Sequence, residues 1–277
     1  MLGEIRGEVR FKEPLSFHTS LRIGGTADIF VVPQDVEDIR LALSFAEREQ
    51  LPVDVVGGGN NLLASDRGFR GVVLKLEGCL GRADFHGEEA VAGAGVSLSS
   101  LIREAAAQNL GGIECLVGIP ATIGGAVAMN AGTPDGTMGE FKPGAGSFSY
   151  RMFSPPPGAV MIGARLGLHR RPATEIQREL KQRLKVKKAN QPLALASAGC
   201  VWKNPPGEVA GRLVERVGLK GKRYNGAEIS AKHANFIVNR GGASAADIKV
   251  LMDMSRERVQ HQFGIALEPE IRTLGEI

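Results

Sequence analysis

Aromatic residues are scarce in this chain: one tryptophan, two tyrosines and eleven phenylalanines make up 5% of its 277 residues. No basic patch with interleaved aromatics occurs, so a nucleic-acid partner is not expected. Cysteines are few as well: Cys79, Cys115 and Cys200. Their number is odd, their spacing is wide and no CxxC is present. That argues against a disulfide framework or a zinc site and suits a reducing cytosol, so a cytoplasmic protein without a metal is expected. The opening stretch MLGEIRGEVRFKEPL carries no apolar run of the kind a secretory leader needs. The longest uncharged run, Cys115 to Pro134, could cross a membrane by length, but Gly118, Pro120, Gly124, Gly125, Asn130 and Gly132 interrupt it. It reads as a loop-rich buried segment, and no membrane partner is expected.

Glycine, in contrast, is abundant, at 37 residues. A glycine-rich, aromatic-poor chain suggests backbone that approaches a ligand closely. The balance of 43% hydrophobic and 23% charged residues is that of a globular protein with a real core. The net charge of +4 is compatible with anionic small molecules. The densest basic stretch, KQRLKVKK at Lys181–Lys188, falls on a helix-like segment and reads as a solvated face.

Periodicity predicts a βαβ unit: a strand at ADIFVVP, a helix capped by Asp35 with Ile39, Ala42, Leu43 and Ala46 inward, and a strand at LPVDVV. A strand GVVLKL and a helix capped by Ser97 follow. AVMIGARLGLHR reads as one strand leading to a basic helix around Ile176, Leu180 and Leu184. ANQPLALASAG is a turn-rich connector, and a domain boundary is expected there. Beyond it come a helix at Ala210–Val217, a strand ANFIVN, a long helix capped by Ser244 and a closing strand in IALEPEIRTLGE. The C-terminal part reads as a small α/β layer domain.

Two glycine segments could carry chemistry. Gly57, Gly58 and Gly59 expose adjacent N–H groups that can form a concave anion nest, and Asn60 and Asn61 add amide donors. The following sequence is extended rather than helical, which disfavours a Rossmann site. A plain turn between strands explains the three glycines equally well. The second segment, GIPATIGGAVAMNAG, can bring Gly118, Pro120, Thr122, Ile123, Gly124 and Gly125 to one phosphate or ring edge; taken alone, it fits a packing turn better. Two such loops in one chain favour a large phosphorylated cofactor.

Seven stretches occur together and in order: FHTSLRIGGTADIFVVP, VVGGGNNLLASDRGFRGVVLKL, GIPATIGGAVAMNAG, FSYR, SAGCVWKNPPG, GAEISAKHANFIVN and LEPEIRTLGE. In this the chain resembles the bacterial UDP-N-acetylenolpyruvoylglucosamine reductase family, from about Leu15 to Glu276. The resemblance implies an α+β flavoprotein with an FAD-binding module of the vanillyl-alcohol-oxidase-like type. That module would have two α/β subdomains, at residues 1–77 and 78–188, ahead of a C-terminal α/β substrate domain at 189–277. It implies FAD as cofactor, NADPH as co-substrate and UDP-N-acetylglucosamine enolpyruvate as substrate, in peptidoglycan precursor synthesis by a monomer. By the same resemblance Arg151 is the cation for the substrate carboxylate. Glu270 is a carboxyl kept protonated by burial, and Cys200 is the proton donor, where the family has serine or cysteine. Asn204 and His233 match substrate-contacting positions, and Lys188 or its neighbour Lys187 is the candidate for the substrate diphosphate; Tyr150 fits a lining of the cleft and a core tyrosine equally well. Between Gly132 and Tyr150 the chain departs from the family: TPDGTMGEFKPGAGSFS stands where a longer hairpin is usual, and the tyrosine loop of one family branch is absent. A different FAD-dependent oxidase or dehydrogenase would share the glycine loops but not SAGCVWKNP and LEPEIR together. A non-catalytic nucleotide-binding scaffold is the rival outside the enzymes.

Overall fold

The computed structural model describes residues 2–76, 78–133, 136–137, 147–154 and 158–277. Most of the stretch read as a shortened hairpin between Gly132 and Tyr150 lies outside the described residues. The chain forms two compact units. The first comprises residues 1–10, 30–58 and 73–187, and the second residues 11–29, 59–72 and 188–277.

Helix α1, Val36–Arg48, begins at Asp35, whose side chain accepts the N–H groups of Glu37 and Asp38. It joins the strands Thr26–Val32 and Val53–Val56, as the sequence predicts. A four-stranded sheet runs in the order Glu8–Pro14, Thr26–Val32, Phe69–Lys75, Val53–Val56, so the later strand inserts between the two that α1 connects. Asp38, fully buried, accepts N–H groups from Arg6, Gly7 and Gln34 at 2.8–3.0 Å. Burial alone would raise its pKa. The three N–H groups and the Arg6 charge outweigh burial and hold the carboxyl below the ordinary aspartate range.

The rest of the first unit packs around α2, Leu98–Ala107, and α3, Ile123–Ala128. Ser97 caps α2 through the N–H of Ser100, and Thr122 caps α3 through that of Gly125. Leu98, Leu101, Ile102 and Ala105 on α2 join Ile123 and Ala126 on α3 in one apolar cluster. The antiparallel strands Ala83–His86, Glu89–Gly93 and Gly163–Gly167 form a sheet in this unit. The segment read as one strand, AVMIGARLGLHR, is two. Gly163–Gly167 pairs with Glu89–Gly93, and His169–Arg170 pairs with Leu110–Gly111. Leu168 between them is buried, and its N–H goes to the Glu88 carbonyl. The basic helix α4, Ala173–Asn190, follows, with only Ile176 buried.

In the second unit the strands Ala196–Cys200, Phe236–Asn239, Ala227–Ile229 and Arg223–Tyr224 form an antiparallel sheet in that order. Helices α5, Ala210–Arg216, and α6, Ala245–Phe263, contribute Leu213, Val214, Ile248, Leu251 and Val259 to its core, around the buried Trp202. Ser244 and Asp247 make a reciprocal capping box at the start of α6. The closing strand is shorter than expected. Arg272–Leu274 pairs in parallel with Leu62–Ala64, and before it Pro269 makes an isolated antiparallel bridge with Trp202. Pro269 has no N–H to give. Around it, Lys203 donates to the Glu268 carbonyl and Glu270 donates to that of Val201.

Candidate active site

SAGCVWKNP, Ser197–Pro205, is shaped by its neighbours residue by residue. Ser197 and Val238 are paired across the sheet, and so are Cys200 and Phe236, but the register shifts between the two pairs. Gly199 takes a left-handed φ of +77° at this bulge. Such a bulge re-aims the following side chain. Ala198 and Val201 are buried on either side, whereas Cys200 is only half-buried and forms no disulfide. Asn235, itself buried, clamps the next residue. Its Oδ1 accepts the Trp202 N–H and its Nδ2 donates to the Trp202 carbonyl, both at 2.9 Å.

Asn60, Asn61 and Glu270, also read from the sequence, lie with Cys200 in the second unit. The N–H of Glu270 donates to the carbonyl of Val201 at 2.7 Å. Asn61 then binds Glu270 through Nδ2, at 3.0 Å to its carbonyl. A Cβ at Gly199 would lie 3.9 Å from the carbonyl of Asn60. The side chain of Asn61 and the carbonyl of Val201, the neighbour of Cys200, are thus both bonded to the backbone of Glu270. Gly59 has a φ of +64°, and a Cβ there would meet the His18 carbonyl at 1.9 Å, so only glycine fits.

Ser20 ties this assembly together. Its N–H and Oγ both reach the Gly59 carbonyl, and its Oγ reaches the Ser197 carbonyl at 2.7 Å. Sequence reasoning missed Ser20, since an isolated serine carries no pattern.

His233 and Asn204 are placed by structural bonds. The His233 ring packs edge-on to Phe236, and its Nδ1 accepts the Asn235 N–H, which leaves Nε2 as the protonated nitrogen of the neutral ring. Burial, then the Lys220 charge, lowers its pKa. Asn204 is exposed, and its Oδ1 accepts the Ala210 N–H at the start of α5. Lys188 is exposed, and its carbonyl takes the Lys232 ammonium.

The remaining candidates lie in the first unit. Gly57 lies against Thr122: a Cβ at 57 would come 2.4 Å from Thr122 Oγ1. The expected set of N–H donors at α3 is committed within the protein. Ile123 donates to Val96, Gly124 to Ala94 and Gly125 to Thr122 Oγ1. This part of the glycine segment therefore serves to bring chain close to chain. Gly118 has a φ of +75° beside Lys187, whose ammonium donates to the Val117 carbonyl at 2.5 Å. Burial lowers the pKa of Lys187. Of the pair read as alternatives, Lys187 is thus fastened to the second glycine segment. Pro120 is exposed.

Beneath Gly57 lies a second residue that sequence reasoning passed over. Lys75 is 6% exposed, and its Nζ donates to the Gly57 carbonyl at 2.7 Å. Its signal was a lone lysine in the apolar strand GVVLKL. Tyr150 and Arg151 form the turn between Ser147–Ser149 and Met152–Ser154, with Ser149 paired to Met152. Arg151 has a φ of +60°, a left-handed position where glycine is usual, and its guanidinium lies 5.6 Å from the Tyr150 ring centre. Tyr150 is exposed.

These residues fit a flavin nucleotide by an observation of their own. Gly59 is forced to be glycine by the His18 carbonyl and Gly57 lies against the Thr122 hydroxyl, while Gly58 between them is exposed, with the Lys75 ammonium one peptide away. A family model described as an FAD binding domain matches residues 27–141, which include both glycine segments. A second, the C-terminal domain of UDP-N-acetylenolpyruvoylglucosamine reductase, matches residues 191–274, which include Cys200 and Glu270. The crystal structure of UDP-N-acetylenolpyruvylglucosamine reductase from Thermus caldophilus superposes with a TM-score of 0.82 at 37% identity, over 98% of this chain and all of that one. UDP-N-acetylenolpyruvoylglucosamine reductase of Moorella thermoacetica is 42% identical over 97% of this chain and 94% of its own length. That of Geobacter metallireducens is 39% identical over 99% and 96%. With likeness running the length of both units, and no segment of either left unmatched by these relatives beyond a few per cent, the chain belongs to the UDP-N-acetylenolpyruvoylglucosamine reductase family.

Proposed function

We propose that the chain reduces UDP-N-acetylglucosamine enolpyruvate to UDP-N-acetylmuramate with NADPH, through bound FAD, in peptidoglycan precursor synthesis. The observation that carries this reading is the match over the C-terminal residues 191–274 as well as the flavin-binding part, because the glycine segments alone would not select a substrate. Bound FAD would supply the hydride chemistry that links NADPH to the substrate.

The chain's own residues have three tasks. The enolpyruvyl double bond gains hydride at its terminal carbon, and negative charge then grows on the carbon bearing the carboxylate. Arg151 pairs with that carboxylate through its planar fork, which suits a carboxylate gaining charge. Glu270, in its acid form, donates a hydrogen bond to the enolate. Cys200 gives its thiol proton to the carbon, which completes addition of one hydride and one proton, and the thiolate regains a proton from solvent. The bulge at Gly199 supports this role, since it keeps Cys200 out of the core.

Gly57–Gly59 with Asn60 and Asn61 hold the cofactor, and so does the segment from Gly118 to Gly125, through groups other than the N–H groups of Ile123, Gly124 and Gly125, which are bonded within the protein. Tyr150, Asn204, His233 and a lysine at 187 or 188 line the substrate path. Cys115 and Cys200 form no disulfide, which fits a reducing compartment, and the reading puts the enzyme in the cytoplasm as a monomer. Anaerobic spectroscopy tests it. The purified protein should be yellow, NADPH should bleach it, and the enolpyruvyl sugar nucleotide should restore the colour with formation of UDP-N-acetylmuramate. A colourless protein, or a bleached one that the sugar nucleotide leaves bleached, would overturn the reading.

A further inference from the structure

A lysine with almost no solvent exposure needs a reason to be where it is, because taking an ammonium out of water is costly. Lys75 ends the strand Phe69–Lys75, and the residues before it, Val72, Val73 and Leu74, are fully buried. Its Nζ lies 2.7 Å from the carbonyl oxygen of Gly57, the first residue of the triple glycine. Hydrogen bonds from a charged donor are about twice as strong as neutral ones. The bond therefore fixes one peptide plane of a loop whose glycines would otherwise leave it free to turn.

Fixing the carbonyl also fixes what lies on the other side of the plane. The Gly57–Gly58 peptide is trans. In a trans peptide the C=O of one residue and the N–H of the next point in opposite directions. With the Gly57 carbonyl turned to Lys75, the N–H of Gly58 is turned away from the buried ammonium. Gly58 is exposed, whereas Lys75 and the preceding Val56 are buried. The peptide dipole is thus aligned with its positive end away from the interior, and the lysine charge stands behind it.

We propose that Lys75 is a positioning residue for the flavin diphosphate: it orients the Gly57–Gly58 peptide for an anion and adds positive charge behind the glycine turn. This rests on the reading of the chain as an FAD enzyme. Any lysine of the apolar strand could serve as packing, but packing would not require its ammonium to reach the one carbonyl that sets the direction of the Gly58 N–H.

The test uses apoprotein prepared from the intact chain, titrated with FAD by flavin fluorescence, beside the thermal midpoint of the same apoprotein. K75M should weaken FAD binding by roughly 10- to 100-fold, the weight of one hydrogen bond to a charged group. K75Q, which keeps a shorter donor without charge, should fall between K75M and the parent chain. L74A, in the same strand and equally deep, is the control for core damage: it should lower the midpoint and leave FAD affinity within about threefold. Should K75M not fold, K75Q against L74A carries the same comparison. FAD affinity unchanged in the Lys75 variants, or reduced no more than in L74A at an equal loss of midpoint, would overturn the assignment. A parent apoprotein that binds no FAD would instead remove the flavin reading itself.

Discussion

A thiol ionises near pH 8.5, far below an alcohol, so cysteine and serine in one position are acids of very different strength. At the residue scale this makes Cys200 the sharpest test of the proposed chemistry. Cys200→Ala should leave bleaching by NADPH near its normal rate and slow reoxidation by the enolpyruvyl substrate by about 10²–10⁴-fold, the usual weight of one general acid. Cys200→Ser should recover much of that loss. In the parent chain reoxidation should fall as pH rises through the thiol ionisation, since a thiolate has no proton to give, and the serine variant should lack this limb. Stopped-flow measurement of the two half-reactions separates these outcomes. If Cys200 only fills space, alanine lowers thermal stability and leaves both half-reactions alike. The sequence could frame the question, since small residues lead into Cys200, but not answer it. The answer lies in the register slip and the left-handed Gly199, which depend on the partner strand Phe236–Asn239.

At the scale of elements, the helices were the most legible part. Asp35, Ser97 and Ser244 begin helices in the structure as the sequence predicts, because each cap is a local bond between a side chain and an N–H two or three residues on. The short strands were not legible. Leu110–Gly111, His169–Arg170 and Arg223–Tyr224 have no periodicity of their own and exist only through their partners. The second glycine segment was legible as a special place but not as to its use: its N–H groups turn out to serve Val96, Ala94 and Thr122. Two predictions belong here. Ser20→Ala removes the Oγ that joins Gly59 to the strand presenting Cys200. It should slow reoxidation by about tenfold, in line with about one ordinary hydrogen bond, while NADPH reduction stays within about twofold. Equal slowing of both half-reactions would deny it a link to the Cys200 strand. The second concerns Asp38, which fastens residues 6 and 7 to the start of α1. Asp38→Asn should lower stability by about 1.5–3 kcal/mol near neutral pH, the range for hydrogen bonds to a charged group. Its carboxyl has a folded pKa below the unfolded value of about 3.9, so its contribution is complete above that pH. It is lost as pH falls through the folded pKa, and the gap between parent and variant in chemical denaturation should close below about pH 4.

At the scale of the whole molecule, the break in character after Lys188 is visible in composition, and one boundary between the compact units falls there, at residues 187 and 188. That residues 11–29 and 59–72 belong with the C-terminal residues was not visible, since it depends on bonds such as Ser20 to Ser197 and Asn61 to Glu270, which span most of the chain. The glycine turn itself is divided in the same way, with Gly58 in the first unit and Gly59 in the second. Neither glycine segment contains a cysteine or histidine, so no covalent attachment to the flavin is expected there. Acid precipitation should release all the colour into the supernatant, and colour in the pellet would contradict this. Because FAD held without a bond stabilises only the folded protein, the apoprotein midpoint should climb with the logarithm of added FAD, with about 2.7 kcal/mol gained at a hundred times the dissociation constant. This climb can be followed by calorimetry and by tryptophan fluorescence. Trp202 lies in the core of the second unit and is the chain's one tryptophan, so its fluorescence reports on that unit. A midpoint that stays fixed by both methods as FAD is added would contradict reversible binding to the folded chain.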